Sequence, residues 1–233
     1  MISVAKIHSH GGLKPPWFAM LATTLLVLIY AAPLWPVDTL LYRADAIETG
    51  EVWRLVTAHL VHLNFQHFAW NVGSFAMMAS MAQLDLGISW RRQLGALAFS
   101  LIVIDALLLA GGYTAYAGLS GLLNGLLALM IWESWRQTRQ TAVLAIAALS
   151  IAKIVYEAAT GDTLFVDVPW PAAAEGHGGG FAAGLGFVVI ECFWGRLKDG
   201  SLWKLLQDRL KISTKNNDLE KHYCWREKEL ESK

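Results

Sequence analysis

Residues 117–132 read AGLSGLLNGLLALMIW, sixteen positions with no charge, five of them interrupting the aliphatic run as Gly118, Ser120, Gly121, Asn124 and Gly125 in its first half or so. As an α-helix this stretch covers about 24 Å, close to the roughly 30 Å of bilayer hydrocarbon, and flanking residues complete the crossing. Its glycines at 121 and 125 form a small-xxx-small face that lets a second helix approach backbone to backbone.

Five further apolar runs surround it: Pro16–Leu34, His67–Leu84, Leu94–Gly111, Thr141–Tyr156 and Gly178–Trp194. No alternating strand pattern or Gly-rich nucleotide turn competes with them, and helices satisfy every backbone polar group in lipid. The chain of 233 residues is 55% hydrophobic, 16% charged and has a mean hydropathy of +0.39. These values predict an all-α, polytopic membrane protein with a six-transmembrane-helix bundle over 16–196. A cytoplasmic N-terminus over 1–15 precedes it, and a cytoplasmic C-terminal tail over 197–233 follows. Leu202, Leu205, Leu206 and Leu210 give the start of that tail a short amphipathic helix. The first run has basic residues before it, as a signal peptide would, but its length and the Trp35-Pro36 exit read as a retained helix.

Lys+Arg and Asp+Glu number 19 each, so no basic excess exists to neutralise nucleic acid. Two cysteines, Cys192 and Cys224, are too few for a disulfide framework or a thiolate metal site. The distribution of bases, unlike their total, is one-sided. With the N-terminus in the cytoplasm, 16 of the 19 lie inside, including Arg91, Arg92, Arg136 and Arg139, whereas only Arg43 and Arg54 lie outside and Lys153 sits in a helix. Both termini are therefore expected in the cytoplasm. Trp17, Trp35, Trp90, Trp132, Trp170 and Trp194 fall near run boundaries, where indole rings prefer the headgroup level.

Polar residues at the outer ends of different helices then need an explanation. His67 and Asn71 share one face at the start of the second run, with His62 five residues earlier. Ser120 opens the fourth run behind Gly118, and His177 opens the sixth ahead of Gly180 and Gly184. Packing of the Gly121/Gly125 face on the Gly180/Gly184 face brings His177 to Ser120. Imidazole is suited to take a serine proton, and amides at a helix N-terminus stabilise developing negative charge. Alone, a Gly-x-Ser-Gly segment is a packing motif; together the five positions read as a Ser–His pair with oxyanion donors, lining a polar cavity open outward. The fifth helix and the loop before His177 are both candidates to gate it.

No acid is clearly placed to orient His177. Glu175 is too near in sequence, Asp105 reads as a hydrogen-bonded or protonated structural acid mid-membrane, and Lys153 with Glu157 reads as local charge compensation four residues apart. A two-residue engine is expected, without a triad. Metal ligation by His62, His67 and His177 leaves Ser120 and the glycines unexplained, so neither metal nor cofactor is expected. A transporter would show repeated halves with polar contacts near mid-membrane, and no halves repeat.

At these residues the sequence resembles the rhomboid family of intramembrane serine proteases. The likeness lies in Trp53-Arg54, in His62, His67 and Asn71 with their His-x4-His-x3-Asn spacing, in Gly118-x-Ser120-Gly121, and in His177-x2-Gly180-x3-Gly184. It implies Ser120 as nucleophile, His177 as general base and then acid, and Asn71, His67 and the Ser120 amide as oxyanion donors. The Gly50–Leu55 run and the Gly118–Gly121 form are also similar to rhombosortases, a bacterial branch. That likeness implies an inner-membrane enzyme opening to the periplasmic side, whose partners are the lipid bilayer and membrane-anchored exported proteins with a C-terminal Gly-Gly motif. Where studied rhomboids commonly carry Tyr one turn after the serine, this chain has Asn124, so the base is expected to be held by a hydrogen bond instead of ring packing. The alternative is a catalytically inactive rhomboid-like binding or escort protein, which would normally lack Ser120 or His177.

Overall fold

The computed structural model describes residues 15–32, 34–164 and 174–200. The N-terminal 1–14, most of the loop before His177 with Trp170, and residues 201–233 of the tail expected over 197–233, its amphipathic stretch included, lie outside them. Six long helices carry the described chain: α1 (Trp17–Ala31), α4 (Phe65–Leu84), α5 (Trp90–Ala110), α6 (Ser120–Thr138), α7 (Thr141–Thr160) and α8 (Ala174–Lys198). Two short helices, α2 (Ala44–Glu48) and α3 (Arg54–Thr57), fill the connection between α1 and α4. A two-residue antiparallel ladder pairs β1 (Tyr42–Arg43) with β2 (Ala115–Tyr116).

All of the long helices except α1 are longer than the apolar runs that announce them. α4 begins at Phe65 because Asn64 caps it, its side-chain oxygen accepting from the His67 amide at 2.8 Å. α6 continues six residues beyond Trp132, and α8 starts at Ala174, so His177 sits inside its first turn. Backbone hydrogen bonding carries a helix through polar residues that hydropathy treats as a boundary.

Among the described residues three helices, α5, α7 and α8, are long and apolar enough to cross a membrane. α1 is 15 residues long, and α4 and α6 hold polar residues that dilute their apolar character. The protein is a membrane protein built mostly of helix. Among its long helices α6 is the central one, packing against α4, α5 and α7, while α1 leans on α4 through the stacked rings of Tyr30 and Phe68, 4.0 Å apart. Leu126, Leu129, Ile104 and Leu108 are fully buried at the α5–α6 contact and help form the core. At the end opposite Ser120, Glu133 of α6 accepts hydrogen bonds from Arg92 of α5 and from Arg136 and Gln137 of its own helix.

The connection between α1 and α4 is an ordered unit. Buried Arg54 donates to the carbonyls of Asp38 and Leu41, both at 2.7 Å, and to Glu51 Oε2, while Thr57 donates to the Leu40 carbonyl. Arg54 thereby satisfies backbone acceptors that no strand or helix would cover. At the end of this unit the Ala58 carbonyl accepts from the Gly118 amide at 2.9 Å, tying the loop before α6 in place. The chain divides into two compact units after Val188, and the described part of the second, 189–200, holds the last turns of α8.

Candidate active site

The first two turns of α6 and the first three turns of α8 meet through their glycines. A Cβ on Gly180 would overlap the Gly121 carbonyl, one on Gly184 the Gly125 carbonyl, and one on Gly121 would come within 3.0 Å of the Gly176 carbonyl. Helices approach this closely only where hydrogen replaces a side chain. The two glycine pairs thus pack together as their spacing predicts, and the contact sets the heights of Ser120 and His177.

At that height His177 Nε2 lies 2.8 Å from Ser120 Oγ. His177 is buried and Ser120 half-buried. The other ring nitrogen, Nδ1, lies 2.8 Å from Glu157 Oε2 on α7. This overturns the expectation that no acid reaches His177. Glu157 is 1% exposed, and its second oxygen accepts from Lys153 Nζ at 2.6 Å, so the foreseen local ion pair forms and also reaches a second helix. Glu175, set aside for its nearness in sequence, is itself exposed and lies near the Tyr113 phenol; burial first and then that carboxylate push the phenol up to about 12.

Gly118 shapes the approach to Ser120. Its φ of +117° lies where only glycine is at ease, and a Cβ there would collide with His67 Nε2 and lie 3.4 Å from Asn71 Nδ2. His67 and Asn71, one turn apart on α4, are therefore pressed against the turn that leads into Ser120. Both are buried, and among the described residues Asn71 Nδ2 and His67 Nδ1 find no hydrogen-bond partner. Buried donors of this kind are costly unless something occupies them. His62 packs edge-on against His67 with ring centroids 5.0 Å apart. Burial, followed by the neighbouring His67, lowers the His62 imidazole to about 3, which keeps it neutral across the working pH range.

Asn124 does something other than hold the base. Its amide donates to the Ser120 carbonyl at 2.9 Å, bracing the first turn of α6. The hydrogen bond at His177 Nδ1 goes instead to Glu157 Oε2. Asp105 is buried within the last two turns of α5, and its Oδ1 lies 3.1 Å from Nε2 of fully buried His59. His59 escaped the sequence reading, since nothing local links it to an acid 46 positions away.

The Rhomboid domain matches the chain over residues 49–193, a span that holds every one of these side chains. No curated protein matches it.

Proposed function

Since the chain belongs to the rhomboid family, whose members are generally intramembrane serine proteases, we propose that it is an intramembrane serine endopeptidase using Ser120 as nucleophile and His177 as base. The observation that carries this reading is the 2.8 Å contact of Ser120 Oγ with His177 Nε2, beside an unpartnered, buried Asn71 amide. In the first step the Ser120 oxygen bonds to the scissile carbonyl carbon as its proton passes to His177 Nε2. Asn71, His67 and the backbone amide of Ser120 receive the oxyanion, and His62 supports His67 from behind. The C–N bond then breaks as His177 returns the proton to the leaving amine, and water, deprotonated by the same imidazole, hydrolyses the acyl-enzyme.

The substrates proposed are transmembrane or C-terminal anchoring segments of exported proteins, with Gly-Gly tails favoured by the rhombosortase likeness. Glycine destabilises a helix by about 1 kcal/mol relative to alanine, so it eases the local unwinding that cleavage needs. The excess of bases at the opposite end supports cytoplasmic termini in a bacterial inner membrane and a site opening to the periplasm.

Detergent-purified protein and a Gly-Gly-tailed membrane substrate test this. Ser120→Ala and His177→Ala are each expected to lower kcat at least about thousandfold, as removal of either half of such a pair does elsewhere. Undiminished cleavage by either variant would sink the proposal. A wild-type chain that binds the substrate without cutting it would return the escort reading.

A further inference from the structure

We propose that Glu157 is a positioning residue for the Ser120–His177 pair, so that the site works as a Ser–His–Glu unit gathered from α6, α8 and α7. The inference rests on the peptidase reading and deepens it. An ionised carboxylate only accepts hydrogen bonds, so the 2.8 Å contact of Glu157 Oε2 with His177 Nδ1 fixes the ring proton on Nδ1. Nε2 then offers its lone pair to the hydroxyl of Ser120, the tautomer a general base requires. The carboxylate is 1% exposed, and a buried charge needs a counterion and full hydrogen bonding. Lys153 provides the counterion at Oε1, 2.6 Å away, from one turn earlier on the same helix. Its own side chain is 29% exposed, against 1% for the carboxylate it pairs with.

During attack the proton of Ser120 moves to Nε2 as the Oγ–C bond forms. The resulting imidazolium carries N–H on both sides, and Glu157 stabilises it through Nδ1–H without taking that proton. When Nε2–H passes to the leaving amine and the C–N bond breaks, the neutral ring and the carboxylate return to their starting state. His67 is the other ionisable group facing His177, from α4, and it supplies no acceptor of comparable charge. A carboxamide in place of Glu157 can offer its N–H to Nδ1, which would put the proton on Nε2 and aim it at the nucleophile.

The test uses the full chain in detergent, a fluorophosphonate probe that labels Ser120, and a Gly-Gly-tailed membrane substrate. Glu157→Gln is expected to slow labelling and lower kcat at least about a hundredfold while KM stays within about threefold. Glu157→Asp should restore at least tenfold of that loss. In a His177→Ala background, Glu157→Gln should cost less than about twofold, because a residue acting through the imidazole has nothing left to act on. Wild-type kcat in Glu157→Gln, or an equal loss with and without His177, overturns the inference. If the Gln variant fails to fold, Glu157→Asp decides: its kcat falls about tenfold at constant KM only when His177 is present, and equal losses in both backgrounds overturn the proposal. A wild-type chain that is neither labelled nor active removes the peptidase reading and this inference with it. Ser120-dependent activity that survives Glu157→Gln removes this inference alone.

Discussion

Two histidine–carboxylate pairs flank the Gly118 turn, and their chemistry is alike while their surroundings are opposite. His59 and Asp105 are 3.1 Å apart and shut in; His59 is fully buried against the ring of Tyr116, and its Nδ1 has no partner. His177 and Glu157 are 2.8 Å apart, but the far nitrogen of His177 goes on to a half-buried hydroxyl and the far oxygen of Glu157 to a partly exposed ammonium. The first pair ties the α3–α4 approach to α5 and ends there. The second continues at both ends. A carboxylate beside an imidazole is therefore a fastening until a third group, with room for a reacting atom, completes it.

The contrast breaks most readily on the donor that stands beside the open pair. Asn71→Ala removes an unpartnered amide from the Gly118 turn, and kcat should drop about 10²–10³-fold with a thermal midpoint close to wild type. A large loss of stability with normal turnover per folded molecule would make Asn71 a packing residue. Asp105→Asn acts on the closed pair and should show the reverse profile. Weakening a buried charge-assisted hydrogen bond is expected to cost about 1–3 kcal/mol of stability, with kcat/KM per folded molecule within about threefold of wild type. A drop in turnover matching that of Glu157→Gln would erase the distinction between the pairs. Asn124→Ala should do least. Its bond to the Ser120 carbonyl braces a turn that is already held by the Gly118–Ala58 bond, so kcat within about fivefold of wild type is expected in the same assay.

Much of this was legible in the chain because it repeats along one helix. Gly121 with Gly125, Gly180 with Gly184, and His67 with Asn71 each lie four apart, and that spacing alone puts both members on one face. Two facing pairs of glycines then bring Ser120 and His177 together with no further information. The acids were illegible for the complementary reason. Glu157 has an obvious partner one turn away in Lys153, which hides its reach to a helix 20 residues later, and His59 meets Asp105 only after the α3–α4 approach packs on α5. The signal that would have singled out Glu157 was its position, one turn before the end of α7 and level with the outer polar residues, and Lys153 masked it.

Because main chain comes up against main chain where α6 meets α8, no side chain is there to turn aside, and one methyl group inserted at Gly180 or Gly184 acts as a wedge between the helices that carry Ser120 and His177.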